Sequence, residues 1–231
     1  MARWSALLFV GLALAATGCK PPAVEQDDSE SLSSNGCGSE RWDVKTGTDA
    51  AASQVNLTPQ DTTIAALGAI AAPGGNAVHS PRFTTTGSAE LQAFRLRDVT
   101  LVQYKLENDG DYHLVLQSGG HTLIAEIPNP TCVSGGGWAA QIAAARHAMD
   151  QKFTVTGSFQ TANIPVTVTG VGFFDLPHGQ TGVAPNAIEL HAVLDVCFTP
   201  GCGGAAQPDF SLSASPGAVS TATGGDRKSV V

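Results

Sequence analysis

LQAFRLRDVTLVQYKLENDGDYHLVLQSGGHTLIAEI, residues 91–127, decides the fold. Apolar and polar residues alternate along three runs in this stretch, which is the pattern of half-buried strands. Asn108-Asp109-Gly110 separates the first two runs and is a strong hairpin signal, and Ser118-Gly119-Gly120 marks the second turn. The alternation slips once in the long first run, which indicates a bulge or bend. The stretch therefore predicts three antiparallel strands, over 91–106, 112–117 and 122–127.

The rest of the folded region adds helices and further strands. Asp61–Ala71 opens with a capping residue and has apolar residues three apart, so it predicts a short helix. Trp138–Met149 is alanine-rich and has helical spacing. Threonine, valine and phenylalanine favour strands over 153–159, 166–174 and 188–198.

This order of elements is that of the OB-fold, a small closed barrel whose helix follows strand three. We therefore predict a mainly β fold, an OB-like closed barrel of five or six strands with one helix after strand three. An unrelated α+β barrel is the alternative.

The first 19 residues predict export. Arg3 is a short positive region, Ala6–Ala16 is an apolar run too short to span a bilayer, and Cys19 follows small residues. The pattern resembles a bacterial lipobox, whose cysteine becomes the lipidated first residue of the mature protein. By the same resemblance, Lys20 favours the outer membrane. We predict a cell-envelope protein held to the membrane by lipid on Cys19 alone; an ordinary signal peptide with an incidental cysteine is the alternative.

Composition divides the remaining chain into three parts. Residues 20–36 are polar, acidic and proline-led, so they predict a disordered tether. Residues 37–202 predict one domain of ordinary size, the OB-like barrel. Residues 203–231 form a low-complexity tail. Within the tail, Pro208–Pro216 resembles the opening strand of the Ig-like repeats of secreted bacterial proteins, and we interpret the tail as the truncated start of such a repeat.

Four cysteines remain when Cys19 is set aside, and an even number in an exported chain predicts two disulfides. Of the three possible pairings we favour Cys37 with Cys132. Cys197 then pairs with Cys202, because a Thr-Pro-Gly sequence offers a turn between them. A zinc site on cysteines is the alternative, but a lone C-x4-C pair supports it weakly.

The net charge of the chain and its aromatic residues indicate which class of ligand a binding module could take. The net charge of −8 argues against nucleic acid, which needs a basic surface. OB barrels bind oligomers in a groove across strands two and three, where aromatic side chains can stack on sugars. The candidates are Trp42, Tyr104, Tyr112 and Trp138, of which Trp138 is also a typical core residue. We therefore expect a saccharide or protein ligand.

Two histidines and two glutamates lie in the predicted strands. Glu189 and His191 are two residues apart and share one face of the last strand. A curled barrel brings His113 and Glu126 to the same side. Such side chains bind zinc or manganese, and a bound ion lowers the pKa of water enough to form hydroxide near neutral pH. The four residues therefore support a catalytic site of a metal-dependent hydrolase, although they match no recognised ligand motif.

A structural network is the alternative interpretation of these residues. Glu189 and His191 can pair across strands with His113 or Arg95. A loop polar network, able to satisfy backbone groups before the last strand, is predicted from His178, Gln180 and Asn186. The Asp-Gly-Asp sequence at 109–111 is compatible with a calcium loop, but it lacks the rest of an EF-hand ladder and favours a turn.

Four segments resemble a group of secreted bacterial proteins of unassigned function: RWDVKTGTD at 41–49, YKLENDGDYHLVL at 104–116, LIAEIPNP at 123–130 and GVGFFDLPHGQTGVAPNAIELHAVL at 170–194. The resemblance spans most of the folded region and implies no established activity. The strand order is also similar to the staphylococcal-nuclease type of OB barrel. That family's acidic and arginine motifs do not match here, so none of its functional residues is carried over.

The sequence thus predicts a lipid-anchored envelope domain that acts as a binding or accessory module of unknown ligand. A metal-dependent hydrolase of phosphodiesterase or nuclease type is the second hypothesis. A divalent metal is the cofactor that the side chains suggest.

Overall fold

The computed structural model describes residues 32–33, 36–74, 80–133, 135–177, 179–200 and 202. Cys19, most of the tether, His178 and the tail lie outside the described residues. The helices and strands within the described residues are α1 (Trp42–Thr46), β1 (Asn56–Thr62), α2 (Ile64–Gly68), β2 (Gln92–Leu106), β3 (Tyr112–Ser118), β4 (His121–Ile127), α3 (Ala139–Lys152), β5 (Gln160–Phe174) and β6 (Ile188–Cys197).

The strands pair into a ring. β3 pairs antiparallel with both β2 and β4, and β6 pairs parallel with β4 and antiparallel with β5. β5 returns antiparallel to β2, which closes the ring, while β1 pairs parallel with the outer side of β2. Helix α3 connects β4 to β5. The prediction of a mainly β fold with six strands is confirmed.

The long strand β2 bends so that it can pair with β3 on one side and with β5 on the other. Its register against β5 shifts between Leu96 and Val99 and again between Leu101 and Gln103. Such irregularities increase local bending and twist. The predicted bulge in this strand is confirmed.

One predicted strand is wrong. Residues 153–159 are irregular, and β5 is instead one continuous strand from Gln160 to Phe174. The backbone N–H of Phe153 still donates to the Met149 carbonyl at the end of α3, and the Phe153 ring packs 4.4 Å from the Tyr104 ring. Phe153 and Val155 therefore pack against the core without joining the sheet, while the Phe159 ring lies 5.5 Å from the His113 ring on the other face of β3.

The region before β2 also differs from the prediction. Asp61 lies in strand β1, and the helix is shorter than predicted because it begins after Thr63, whose side chain accepts a hydrogen bond from the Ala66 N–H. β1 was not predicted, since NLTPQDT has a single apolar residue and no alternation. Pairing along the outer side of β2 decides its conformation.

The hydrophobic core lies against one face of the ring strands and is closed by α3. Helix α3 contributes Ile142, Ala145 and Met149 to this core. On β3, Leu114 belongs to the core whereas the neighbouring His113 points to the opposite face, as alternation in a strand requires. That second face is also buried, so β3 is covered on both sides.

Both predicted disulfides are present. Cys37–Cys132 joins the segment before α1 to the turn before α3, with Cα atoms 5.8 Å apart. Cys197–Cys202 closes a short loop at the end of β6, with Cα atoms 6.1 Å apart. Among the helices in the described part of the chain, none has the length and apolar character needed to cross a membrane.

Candidate metal centre

Strand pairing brings the four predicted catalytic residues into contact. β4 lies between β3 and β6, so Glu126 has His113, its register partner on β3, on one side. On the other side β6 supplies Glu189 and His191. The four residues are 0–5 % exposed. The expected proximity is therefore present, while a role in catalysis stays a prediction.

The hairpin between β2 and β3 adds three acidic side chains that the sequence reasoning did not assign to the site. Glu107, Asp109 and Asp111 are all buried. Gly110 has a φ of +90°, which lets the turn reverse tightly, and the Asp111 N–H donates to the Asp109 side chain. The sequence does contain a pattern that indicates these residues: charged or titratable side chains occupy every second position from 105 to 113 and so share one face.

Lys45 is the other residue that the sequence did not reveal. It lies in α1, is fully buried, and its ammonium is 5.5 Å from the centre of the Phe173 ring. The Phe173 ring is in turn 5.6 Å from the His191 ring. Nothing in the residue pattern of α1 distinguishes this lysine from an exposed one.

The hydrogen bonds of His113 determine which ring nitrogen carries a proton. Nε2 is 2.9 Å from the carbonyl oxygen of Thr181, which only accepts, so Nε2 carries the hydrogen. Nδ1 is 3.1 Å from Glu126 Oε1 and 3.1 Å from Glu107 Oε1. A lone pair directed at two carboxylates is repelled. The ring is therefore an imidazolium or else Nδ1 shares a cation with the carboxylates.

His191 is surrounded by carboxylates on both sides of its ring. Nδ1 is 3.1 Å from Glu189 Oε1 and 3.0 Å from Glu126 Oε2. Nε2 is 3.5 Å from Asp111 Oδ2, and neither of these two buried atoms has a hydrogen-bond partner among the described residues. Glu107 Oε1 is a third such atom, although His113 lies close to it.

Without a bound ion, the electrostatics of the cluster favour protonated imidazoles. Burial opposes the charge of His113, but the neighbouring carboxylates of Glu107 and Glu126 outweigh it and raise the pKa of His113 to about 10. Burial and the charge of Lys45 also oppose the charge of His191, yet the surrounding carboxylates raise its pKa well above its usual value. Both rings then donate to carboxylates.

The carboxylates of the cluster divide into one that is strongly ionised and several that resist ionisation. Burial would raise the pKa of Glu126, but hydrogen bonds from both histidines hold that pKa well below its usual range. Burial raises the pKa of Glu189 to about 8, and the charge of Glu126 adds to the effect. Burial likewise raises the pKa values of Glu107 and Asp111.

Two sets of side chains in the cluster have ligand atoms close enough to share a metal ion. In each set, the ligand atoms lie within 4.8 Å of one another. One set is Glu107, His113 and Glu126, and the other is Asp111, Glu126 and His191. Carboxylate and imidazole together suit first-row divalent ions such as Zn²⁺ and Mn²⁺.

Gln180 and Asn186 hydrogen-bond backbone groups before the last strand, as predicted, and the Ile188 N–H donates to the Asn186 side chain. The predicted cross-strand pair with Arg95 has another partner. The Gln180 amide donates to the Asp175 side chain and to the Leu176 carbonyl. The Asn186 amide donates to carbonyl oxygens of residues 67 and 70, so it anchors the end of α2. His178 lies outside the described residues. Arg95 pairs with Asp61 on β1 and not with the histidines.

The predicted aromatic stacking surface is wrong in three of its four members. Tyr104, Tyr112 and Trp138 are buried in the hydrophobic core, at 5 %, 8 % and 2 % exposure. Trp42 is partly exposed, and its indole N–H donates to the Cys132 carbonyl. These positions therefore do not form a stacking surface for sugars.

No protein-family model matches the chain, and the curated proteins contain no match to it. The buried cluster is therefore the basis for assigning a function.

Proposed function

We propose that the protein is a divalent-metal-binding domain of the bacterial cell envelope. The observation that carries the proposal is the approach of Asp111 Oδ2 and His191 Nε2 at 3.5 Å, where neither atom has a hydrogen-bond partner among the described residues. A buried polar atom without a partner costs about 1–3 kcal/mol. A tetrahedral ion with bonds near ~2.1 Å places its ligand atoms roughly 3.4 Å apart, which fits this separation.

The hydrogen bonds around the two histidines also support the proposal. Histidines that bind metals donate the other ring N–H to a carbonyl or carboxylate, which fixes the ring orientation. His113 has that arrangement toward the Thr181 carbonyl, and His191 has it toward Glu189. In each ring the remaining nitrogen lies near carboxylate oxygens.

The ring of strands supports a finer description of the fold, which we propose to be an OB-type barrel. β2 is long and pairs with both β3 and β5, β4 and β6 are parallel, and α3 lies between β4 and β5. These are the features expected of that architecture. A lipid on Cys19 would hold the domain at the outer membrane, and the two disulfides suit an extracytoplasmic compartment.

The proposal does not extend to hydrolysis. A metal-dependent hydrolase must bring a phosphodiester to the ion, and every candidate ligand in the cluster is at most 8 % exposed. A dehydrated ion is small enough for such a site. A polymeric substrate would have to displace the covering loop at 179–187, whose Thr181 carbonyl contacts His113. A saccharide or protein that binds elsewhere on the domain is compatible with the proposal.

Isothermal titration of the full chain with Zn²⁺ and Mn²⁺, after divalent ions are removed by a chelator, tests the proposal. We expect saturable binding, and in Asp111→Asn the set of Asp111, Glu126 and His191 should bind more weakly by more than the roughly 10–100-fold loss typical of outer-shell changes. Asp195→Asn is the matched control, because Asp195 is exposed on the same strand as His191 and should bind as the unaltered chain does. Equal affinity in the two variants, or no saturable binding, would contradict the proposal.

A further inference from the structure

We infer that the cluster holds two divalent ions, one on each side of Glu126, and that the Glu126 carboxylate bridges them. The inference rests on the proposed metal-binding function and adds the number of ions and the role of a shared ligand. Glu126 lies between two strands that each carry a histidine of the cluster.

Strand order gives Glu126 a neighbour on each side. His113 is its direct partner on β3, and Glu126 Oε1 faces His113 Nδ1 at 3.1 Å. Glu126 Oε2 faces the imidazole of His191 on β6, 3.0 Å from Nδ1. The two oxygens of one carboxylate are thus directed to two different imidazoles, so Glu126 can contribute one oxygen to each candidate ligand set.

Each half of the cluster has its own terminal acid from the β2–β3 hairpin. Glu107 lies beside His113, and Asp111 lies beside His191. Asp111 Oδ2 is buried and has no hydrogen-bond partner among the described residues. Glu107 Oε1 likewise has no hydrogen bond, although the Lys105 ammonium lies 3.4 Å from it and His113 Nδ1 lies 3.1 Å from it. Glu126 is the one residue common to both candidate sets. A single ion would bind one half of the cluster. The buried carboxylate oxygen of the other half would then remain without a ligand or hydrogen bond.

A carboxylate bridge also suits the spacing of two ions. In dinuclear sites the ions lie about 3.5–4 Å apart, a separation that a carboxylate spans.

The stoichiometry of Mn²⁺ binding tests the inference. The full chain is freed of divalent ions, equilibrated with Mn²⁺, separated from free ion by gel filtration and analysed for metal by mass spectrometry. We expect two ions per chain, one in Glu107→Gln and one in Asp111→Asn. Asp195→Asn, the exposed control, should retain two. Near-ultraviolet circular dichroism of each ion-free variant establishes that it is folded before the titration.

Electron paramagnetic resonance then tests the bridge. Two Mn²⁺ ions that share a carboxylate are exchange-coupled, so the fully loaded chain should lose the six-line signal of isolated Mn²⁺. Each single-site variant should show that signal. One ion per unaltered chain, or two ions without coupling, would overturn the inference and leave metal binding intact. No bound ion would overturn the proposed function as well.

Discussion

Replacement of Glu126 by glutamine in the ion-free protein should destabilise the fold strongly. Glu126 is the buried carboxylate that accepts from His113 and lies within 3.0 Å of His191. Its removal leaves two imidazolium rings without their shared counter-charge. Loss of one partner from a buried ion pair costs about 3–5 kcal/mol. In a domain of this size that corresponds to a fall in Tm of roughly 6–20 °C.

Glu189→Gln is the matched control, and its effect should have the opposite sign. The pKa of Glu189 is raised from 4.5 to about 8, so at pH 7 the folded protein holds a proton that the unfolded chain releases. Taking up that proton roughly 2.5 pH units above the ordinary pKa costs about 3 kcal/mol. Glutamine is already neutral and avoids the cost. We therefore expect this variant to be more stable than the unaltered chain, by up to about 3 kcal/mol.

Urea unfolding at pH 7 in the presence of a chelator, followed by tryptophan fluorescence with the disulfides intact, measures both variants. The two unfolding midpoints should move in opposite directions from that of the unaltered chain. Losses of similar size in both variants would refute this expectation, because they would show that the two glutamates differ little in charge state. A larger loss of stability in Glu189→Gln than in Glu126→Gln would refute the assigned charge states more directly.

Three further predictions concern the ion-free fold. The pKa of His113 is raised to about 10 and that of Glu189 to about 8, so the fold binds extra protons between pH 4.5 and 10. Stability should therefore fall as pH rises through this window, and a urea midpoint that increases from pH 6 to 9 would contradict the assignment. Joint replacement of Cys37 and Cys132 by serine, which opens a loop of sequence separation 95, should cost about 4–5 kcal/mol. The same change at the short disulfide after β6 should cost about 2 kcal/mol, and urea midpoints that reverse this order would count against the loop-entropy argument. Gly182→Ala should cost at least ~1 kcal/mol, since φ is +94° and a Cβ would lie 2.7 Å from a valine side chain of β3; an unchanged Tm would show that the covering loop shifts freely.

The sequence predicts the parts of the fold that depend on local patterns. The Asn-Asp-Gly turn and the alternation on either side of it define β2, β3 and β4, and helix α3 follows from apolar residues at helical spacing. Strand β1 could not be predicted in this way, because Asn56–Thr62 is polar and is extended through pairing with β2. The apolar residues of 153–159 indicated a strand, but Phe153 and Val155 pack against the core outside the sheet.

The site was predictable where strand alternation placed residues on one face. Glu189 and His191 share a face by their spacing, and their approach to His113 follows from ring closure. Glu107 was missed because the hairpin residues were interpreted as a turn, although every second residue there is charged. Lys45 was not predictable, since its burial depends on the contact between α1 and the ring, which leaves no local signal.

Anomalous diffraction from crystals of the full chain grown with Mn²⁺ tests the central claim most directly. The account predicts two anomalous peaks about 3.5–4 Å apart, one beside Glu107 and His113 and the other beside Asp111 and His191, with the Glu126 carboxylate between them. Manganese found only at the protein surface, with the buried side chains paired to one another as hydrogen-bonded imidazolium and carboxylate groups, would contradict it.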